Sequence, residues 1–127
     1  MTGLVTFEVP REPVSKENDV SLLAITEKQL SQTVVEMAEA FGWTVWRTWN
    51  SRHSPAGEPD LRMVHPVWRR MIWAELKTEK GKLTLKQEDT IRILMRAKQE
   101  WYLWRPRDLD NHEIEQALSN PKKWGRP

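Results

Sequence analysis

Three side chains in the stretch PDLRMVHPVWRRMIWAELK, residues 59 to 77, are of the types that could cut a phosphodiester bond. Asp60 opens the stretch, and Glu75 and Lys77 close it. Read as a strand, RMIWAELK alternates faces: Ile72, Ala74 and Leu76 point one way, and Trp73, Glu75 and Lys77 the other. A carboxylate and an ammonium then share a face, about 6.6 Å apart along the backbone. If DLRMVH pairs with it as a hairpin, Asp60 lies beside Glu75 across a strand spacing of about 4.8 Å. Two carboxylates that close repel each other unless something sits between them. Mg²⁺ suits the gap, because it takes oxygen ligands at about 2.0–2.1 Å and keeps several waters. Such an ion can hold a phosphate oxygen and turn a water into a nucleophile. Lys77 beside it would orient that water or offset charge developing in the transition state. On spacing alone, surface ion pairs remain the competing reading, because an ExK triplet is common.

The elements that must position these residues follow from periodicity. Thr26 is a helix N-cap with Gln29 at the reciprocal capping-box position. Leu30, Val34, Met37, Ala38 and Phe41 repeat on one helical face, and Gly42 supplies the stop. TVWRTW (44–49) reads as a strand, NSRHSPAGEP (50–59) as a loop, DLRMVH (60–65) as a second strand and RMIWAELK (70–77) as a third. TEKGK is a turn with Gly81 at its tip. A helix follows over 84–99 with Thr84 as N-cap and Leu85, Ile91, Leu94 and Met95 close to one face. EWYLWRP (100–106) is a short fourth strand ended by Pro106, and NHEIEQALSN lies in a final helix starting at Asp108 or Asp110. The order α-β-β-β-α-β-α predicts an α/β domain with a mixed sheet of about four strands flanked by helices. Residues 1–20 read as a flexible N-terminal arm, 21–120 as one domain and 121–127 as a C-terminal tail.

Bulk composition narrows the classes. The chain has 127 residues, enough for one core, with 39% apolar and 30% charged residues. No apolar run is long enough for a membrane span or a signal peptide. The absence of cysteine excludes disulfides and thiolate–metal chemistry and agrees with a reducing cytoplasm. A net charge of +2 does not by itself announce a polyanionic partner. Its distribution says more: Arg62, Arg69, Arg70, Lys77, Lys80, Lys82 and Lys86 face only Glu75 and Glu79 across that stretch. Eight tryptophans serve mostly as core, given only two Phe and one Tyr, although one or two near strand ends could instead stack on bases. His53, His65 and His112 lack metal-ligand spacing, which argues against zinc. GKL at 81–83 is a turn and not a phosphate-cradling loop, so no nucleotide cofactor is expected.

TEKQL (26–30), FGW (41–43), GEPDL (57–61), AELKTEKGKL (74–83) and Gln87, in that order, resemble the VRR-NUC domain of the PD-(D/E)xK nuclease superfamily. The likeness spans most of the chain, residues 26 to 106. It implies a restriction-endonuclease-like αβββαβ core. It implies that Asp60 and Glu75 ligate Mg²⁺ or Mn²⁺ and that Lys77 is the catalytic lysine. Gln87 would orient Lys77 or touch the phosphate. Glu27 would be the helix carboxylate, reaching the metal directly or through water; otherwise it is an ordinary first-turn acid. Small standalone members resemble Holliday junction resolvases, so the expected activity is metal-dependent cutting of branched, flap or other structured DNA. A homodimer would set two active sites on two strands of one junction. The expected setting is the cytoplasm of a bacterial or phage-infected cell. Lys80, Lys82 and Lys86 would grip the DNA backbone, and Arg52 and His53 would touch a phosphate, unless these are simply solvated loops. The rival reading is a DNA-binding module that keeps the fold but does not cut, or cuts only with a partner.

Overall fold

The computed structural model describes residues 21–48 and 56–122. The expected arm at 1–20, Arg52 and His53, and the last five residues of the expected tail lie outside them. Helix α1 (Glu27–Ala40) leads to strand β1 (Thr44–Arg47), β2 (Leu61–His65) and β3 (Arg70–Leu76). Helix α2 (Leu85–Arg96), strand β4 (Glu100–Trp104) and short helices α3 (Pro106–Asp110) and α4 (Glu113–Ser119) follow. The sheet runs β1-β2-β3-β4, antiparallel except for the parallel β3–β4 pair. The chain is thus α/β with a mixed four-stranded sheet flanked by helices.

Helix α1 starts where Thr26 and Gln29 form the reciprocal capping box, with bonds of 3.0 Å each way. It ends at Phe41, and Gly42 takes a left-handed φ of +98°. A side chain at Gly42 would also meet the His65 ring at 2.9 Å. Leu30, Val34 and Ala38 of α1 pack with Ile114 and Leu118 of α4 on one sheet face. That face supplies Leu61, Met63, Ile72, Ala74, Leu76 and Trp104, all buried, as period-two alternation requires. Trp43 Nε1 donates to Leu118 O at 2.8 Å and ties α4 to this core.

A buried ion pair locks the far end of the sheet. Arg70 donates to Glu100 and to the carbonyls of Ala117 and Asn120, and its guanidinium lies 5.0 Å from the Trp43 ring centroid. Tyr102 completes the group with its hydroxyl 2.9 Å from Glu100. Truncating one partner would strand a buried charge at a cost of about 3–5 kcal/mol. His65 is structural too. It stacks on Trp68 at 3.8 Å, donates from Nε2 to Phe41 O at 2.8 Å and accepts the Trp68 N–H at Nδ1.

Several boundaries differ from the sequence-based expectation. β1 ends at Arg47, so Thr48 already lies outside it. α2 ends at Arg96 because Lys98 adopts φ +57° and the Gln99 N–H turns back to Leu94 O at 2.9 Å. Its buried side is also rotated: Leu85 and Met95 are exposed, and Leu94 is the residue that packs inward. The expected final helix is two helices. α3 begins at Pro106, where the Asp108 carboxylate accepts the Arg105 N–H at 2.9 Å. His112, left-handed at φ +68°, separates it from α4.

Candidate active site

The site is assembled by the β2–β3 hairpin. Leu61 pairs with Ala74, so the next position outward puts Asp60 opposite Glu75. Asp60 is held on two sides. Its Oδ2 accepts the Leu76 N–H at 2.8 Å, and its main-chain carbonyl accepts the Thr48 N–H at 2.8 Å. The Thr48 hydroxyl donates to the carbonyl of buried Pro59. Upstream, Gly57 at φ +85° brings the loop against α2; a Cβ there would lie 2.6 Å from Lys86 O. The glycine of the GEPDL run is therefore needed both for its conformation and for close approach.

Glu75 is 5% exposed. Its Oε2 accepts from Gln87 Nε2 at 2.8 Å. Gln87 stands at the third position of α2, where its Oε1 also accepts the Thr84 N–H at 2.9 Å and its own N–H donates to Thr84 Oγ1 at 3.1 Å. One amide thus caps the helix and clamps the carboxylate, and its orientation is set by both duties. The observed side-chain partner of Gln87 on β3 is Glu75 and not Lys77. The N3 geometry explains this, since a side chain turned back toward the cap reaches the β3 end.

Burial pushes the Glu75 carboxyl up to about 8, helped by the charge and hydrogen bond of Asp60 and by Glu27, while Lys77 partly offsets the shift. Burial and the neighbouring carboxylates thus favour the protonated form of Glu75 in the metal-free protein. Lys77 is 9% exposed, and its N–H donates to Trp104 O at 3.0 Å, extending the parallel β3–β4 pairing by one residue. Among the described residues its ammonium forms no salt bridge.

Glu27, in the first turn of α1, is exposed and lines an open cleft of about 220 Å³ with Lys28, Ser31, Arg47, Thr48 and Asp60. Among the described residues no three His, Cys, Asp or Glu side chains meet closely enough to hold an ion together. The donor chemistry of the Asp60–Glu75 pair nevertheless fits a hard divalent cation. Buried Glu75 and half-buried Asp60 face each other across the hairpin, two like charges that a cation between them would offset. Mg²⁺ needs only one or two carboxylates, with waters for the rest.

Lys80, Lys82 and Lys86 are exposed beside the site. The turn carrying the first two is clamped by Arg105, whose Nη1 donates to Thr78 O and Gly81 O at 2.7 Å each and to Glu79 O at 3.3 Å. Glu79 pairs with Arg107 at 2.8 Å. Arg105, Thr48, Lys28 and Arg47 were not anticipated. Arg105 acts across more than twenty residues, which local pattern does not reveal. Lys28 adjoins Glu27 in TEKQL and Arg47 lies in the first strand, so the signal for those two was proximity to residues already singled out. Compared with family models, with curated proteins and with solved structures, the chain returns no match.

Proposed function

We propose that this chain is a Mg²⁺- or Mn²⁺-dependent DNA endonuclease of the VRR-NUC type, with a restriction-endonuclease-like core and a preference for branched or flap DNA. The observation that carries the reading is buried Glu75 facing half-buried Asp60 across the hairpin, with buried Lys77 just past the end of β3 and Gln87 locked onto Glu75. A surface ion-pair cluster gives no reason to bury Glu75 beside a second carboxylate. Hydrogen bonds occupy Asp60 Oδ2 and Glu75 Oε2, which leaves one oxygen of each carboxylate for a cation once Glu75 is ionised. Glu27 would act through water. When bound, the ion would supply charge at a phosphate oxygen and a water of lowered pKa.

The chain's own groups do the remaining work. Gln87 is a positioning residue that fixes the Glu75 carboxylate. Lys77 offsets negative charge at the scissile phosphate from a site of low exposure, where its charge acts with little screening. Lys28 and Arg47 line the cleft wall, and Lys80, Lys82 and Lys86 hold the flanking backbone without reading sequence. A cytoplasmic homodimer would match two such sites to a four-way junction. The test is cleavage of end-labelled junction, flap, duplex and single-stranded DNA in Mg²⁺, Mn²⁺ and EDTA. Metal-dependent cutting, strongest on branched substrates, is expected. Tight DNA binding with no cutting under any metal would replace the reading with a binding module.

A further inference from the structure

On the sheet face that carries Glu75, one cross-strand row reads Trp46, Arg62, Trp73, Trp101, each paired with the next. The Arg62 guanidinium lies 5.6 Å from the Trp46 ring centroid and 5.8 Å from that of Trp73. Trp73 is pinned by its Nε1, which donates to Gln99 Oε1 at 3.2 Å. Helix α2 packs over the Trp73 and Trp101 end through Ile91 and Leu94. α1 and α4 pack on the opposite face. Among the described residues no element covers the other end of the row, where Arg62 is exposed and Trp46 is 48% exposed. Among the described residues Arg62 forms no ion pair.

From this row we infer a stacking site, formed by Trp46 and Arg62, for an unpaired nucleobase next to the scissile phosphate. The inference rests on the nuclease reading, and three features of the row support it. First, Asp60 lies two residues before Arg62 and Glu75 two residues after Trp73, so the carboxylate row is one strand repeat away, about 6.8 Å. A strand with a phosphate at Asp60 and Glu75 would therefore have a neighbouring base over Trp46. Second, a planar cation held against an indole presents a continuous surface on which any base can stack, whatever its sequence. Third, Arg62 brings positive charge without a carboxylate partner, which suits a polyanion. Bases inside a duplex have no free ring face, so the site selects DNA unpaired beside the cut. Flaps and junctions present such bases.

The experiment uses fluorescence anisotropy of a labelled short single strand and of a blunt duplex of the same sequence, in EDTA. The full chain is compared with Trp46→Ala, Trp46→Phe and Arg62→Ala, each with a thermal melt and a sedimentation run. Trp46→Ala is expected to weaken single-strand binding roughly tenfold, with duplex binding changed by less than about twofold and Trp46→Phe close to wild type, while Arg62→Ala, which also removes a charge, weakens single-strand binding more than duplex binding. Equal loss on both DNAs, no loss on either, or no binding by the wild type would overturn the stacking site. So would a change in Trp46→Ala confined to oligomeric state or melting temperature. Selective loss in a protein that cuts nothing in Mg²⁺ or Mn²⁺ would keep the stacking site and remove the nuclease reading. Metal-dependent cutting with unselective variants would do the reverse.

Discussion

Glu75→Gln makes the most quantitative prediction, because it removes a carboxyl that the fold holds far above its ordinary pKa. That value is about 8 against an ordinary 4.5. Between these limits the folded, metal-free protein binds a proton that the unfolded chain has released. Stability contributed by this group is therefore complete below about pH 4.5 and is lost as pH rises through about 8. The slope for one proton is at most about 1.4 kcal/mol per pH unit, and the whole window amounts to a few kcal/mol. Glutamine keeps an oxygen to accept from Gln87 but has no proton to lose, so this component of the pH dependence vanishes. Urea denaturation of both proteins in EDTA from about pH 5 to 8.5 reads the difference, since other titrating groups are common to the two. The wild type should lose stability relative to the variant as pH rises. A divalent ion must displace the same proton, so its apparent affinity should rise up to about tenfold per pH unit below pH 8. Calorimetry in buffers of differing ionisation enthalpy should detect about one proton released per ion. Parallel stability curves, or metal binding with no proton release, would refute the reasoning.

Three further outcomes follow from the same geometry. Gln87→Glu keeps a residue competent for the capping box but sets a carboxylate against Glu75; helicity by circular dichroism should persist while cleavage falls at least about tenfold. Arg105→Ala frees the carbonyls of Thr78, Glu79 and Gly81 beside Lys77; it should cost about 1–3 kcal/mol in denaturant melts and lower kcat more than DNA affinity. Replacing Lys80, Lys82 and Lys86 together by alanine should flatten the salt dependence of DNA binding, by about 0.9 in log–log slope for each duplex phosphate that these lysines neutralise.

What local pattern could convey, it conveyed. The Thr26 and Gln29 box, the alternation of Ile72, Ala74 and Leu76, and the hairpin that brings Asp60 to Glu75 depend on neighbours in sequence or on one strand pairing. The missing parts are long-range or compete with local rules. Leu85 and Met95 continue an apolar pattern, yet α2 meets the sheet mainly through Leu94 and Ile91, so both stay in solvent. Gln87 entered only through the resemblance, and nothing in its spacing shows that its amide both caps α2 and reaches β3. Arg105 looked like the end of a strand before a proline, whereas its guanidinium holds a turn two dozen residues back. The α3–α4 break depends on a left-handed His112, a conformation uncommon outside glycine although histidine is among the residues that take it more readily.

The central claim is that Asp60 and Glu75 form a metal-dependent cutting centre. Single-turnover cleavage of an end-labelled four-way junction by the wild type and by Asp60→Asn, in Mg²⁺ and in EDTA, tests it most directly. The account predicts cutting by the wild type only with the metal, and its loss in the variant while junction binding persists. Cutting that survives EDTA, or an Asp60→Asn protein that cuts as fast as the wild type, would contradict it.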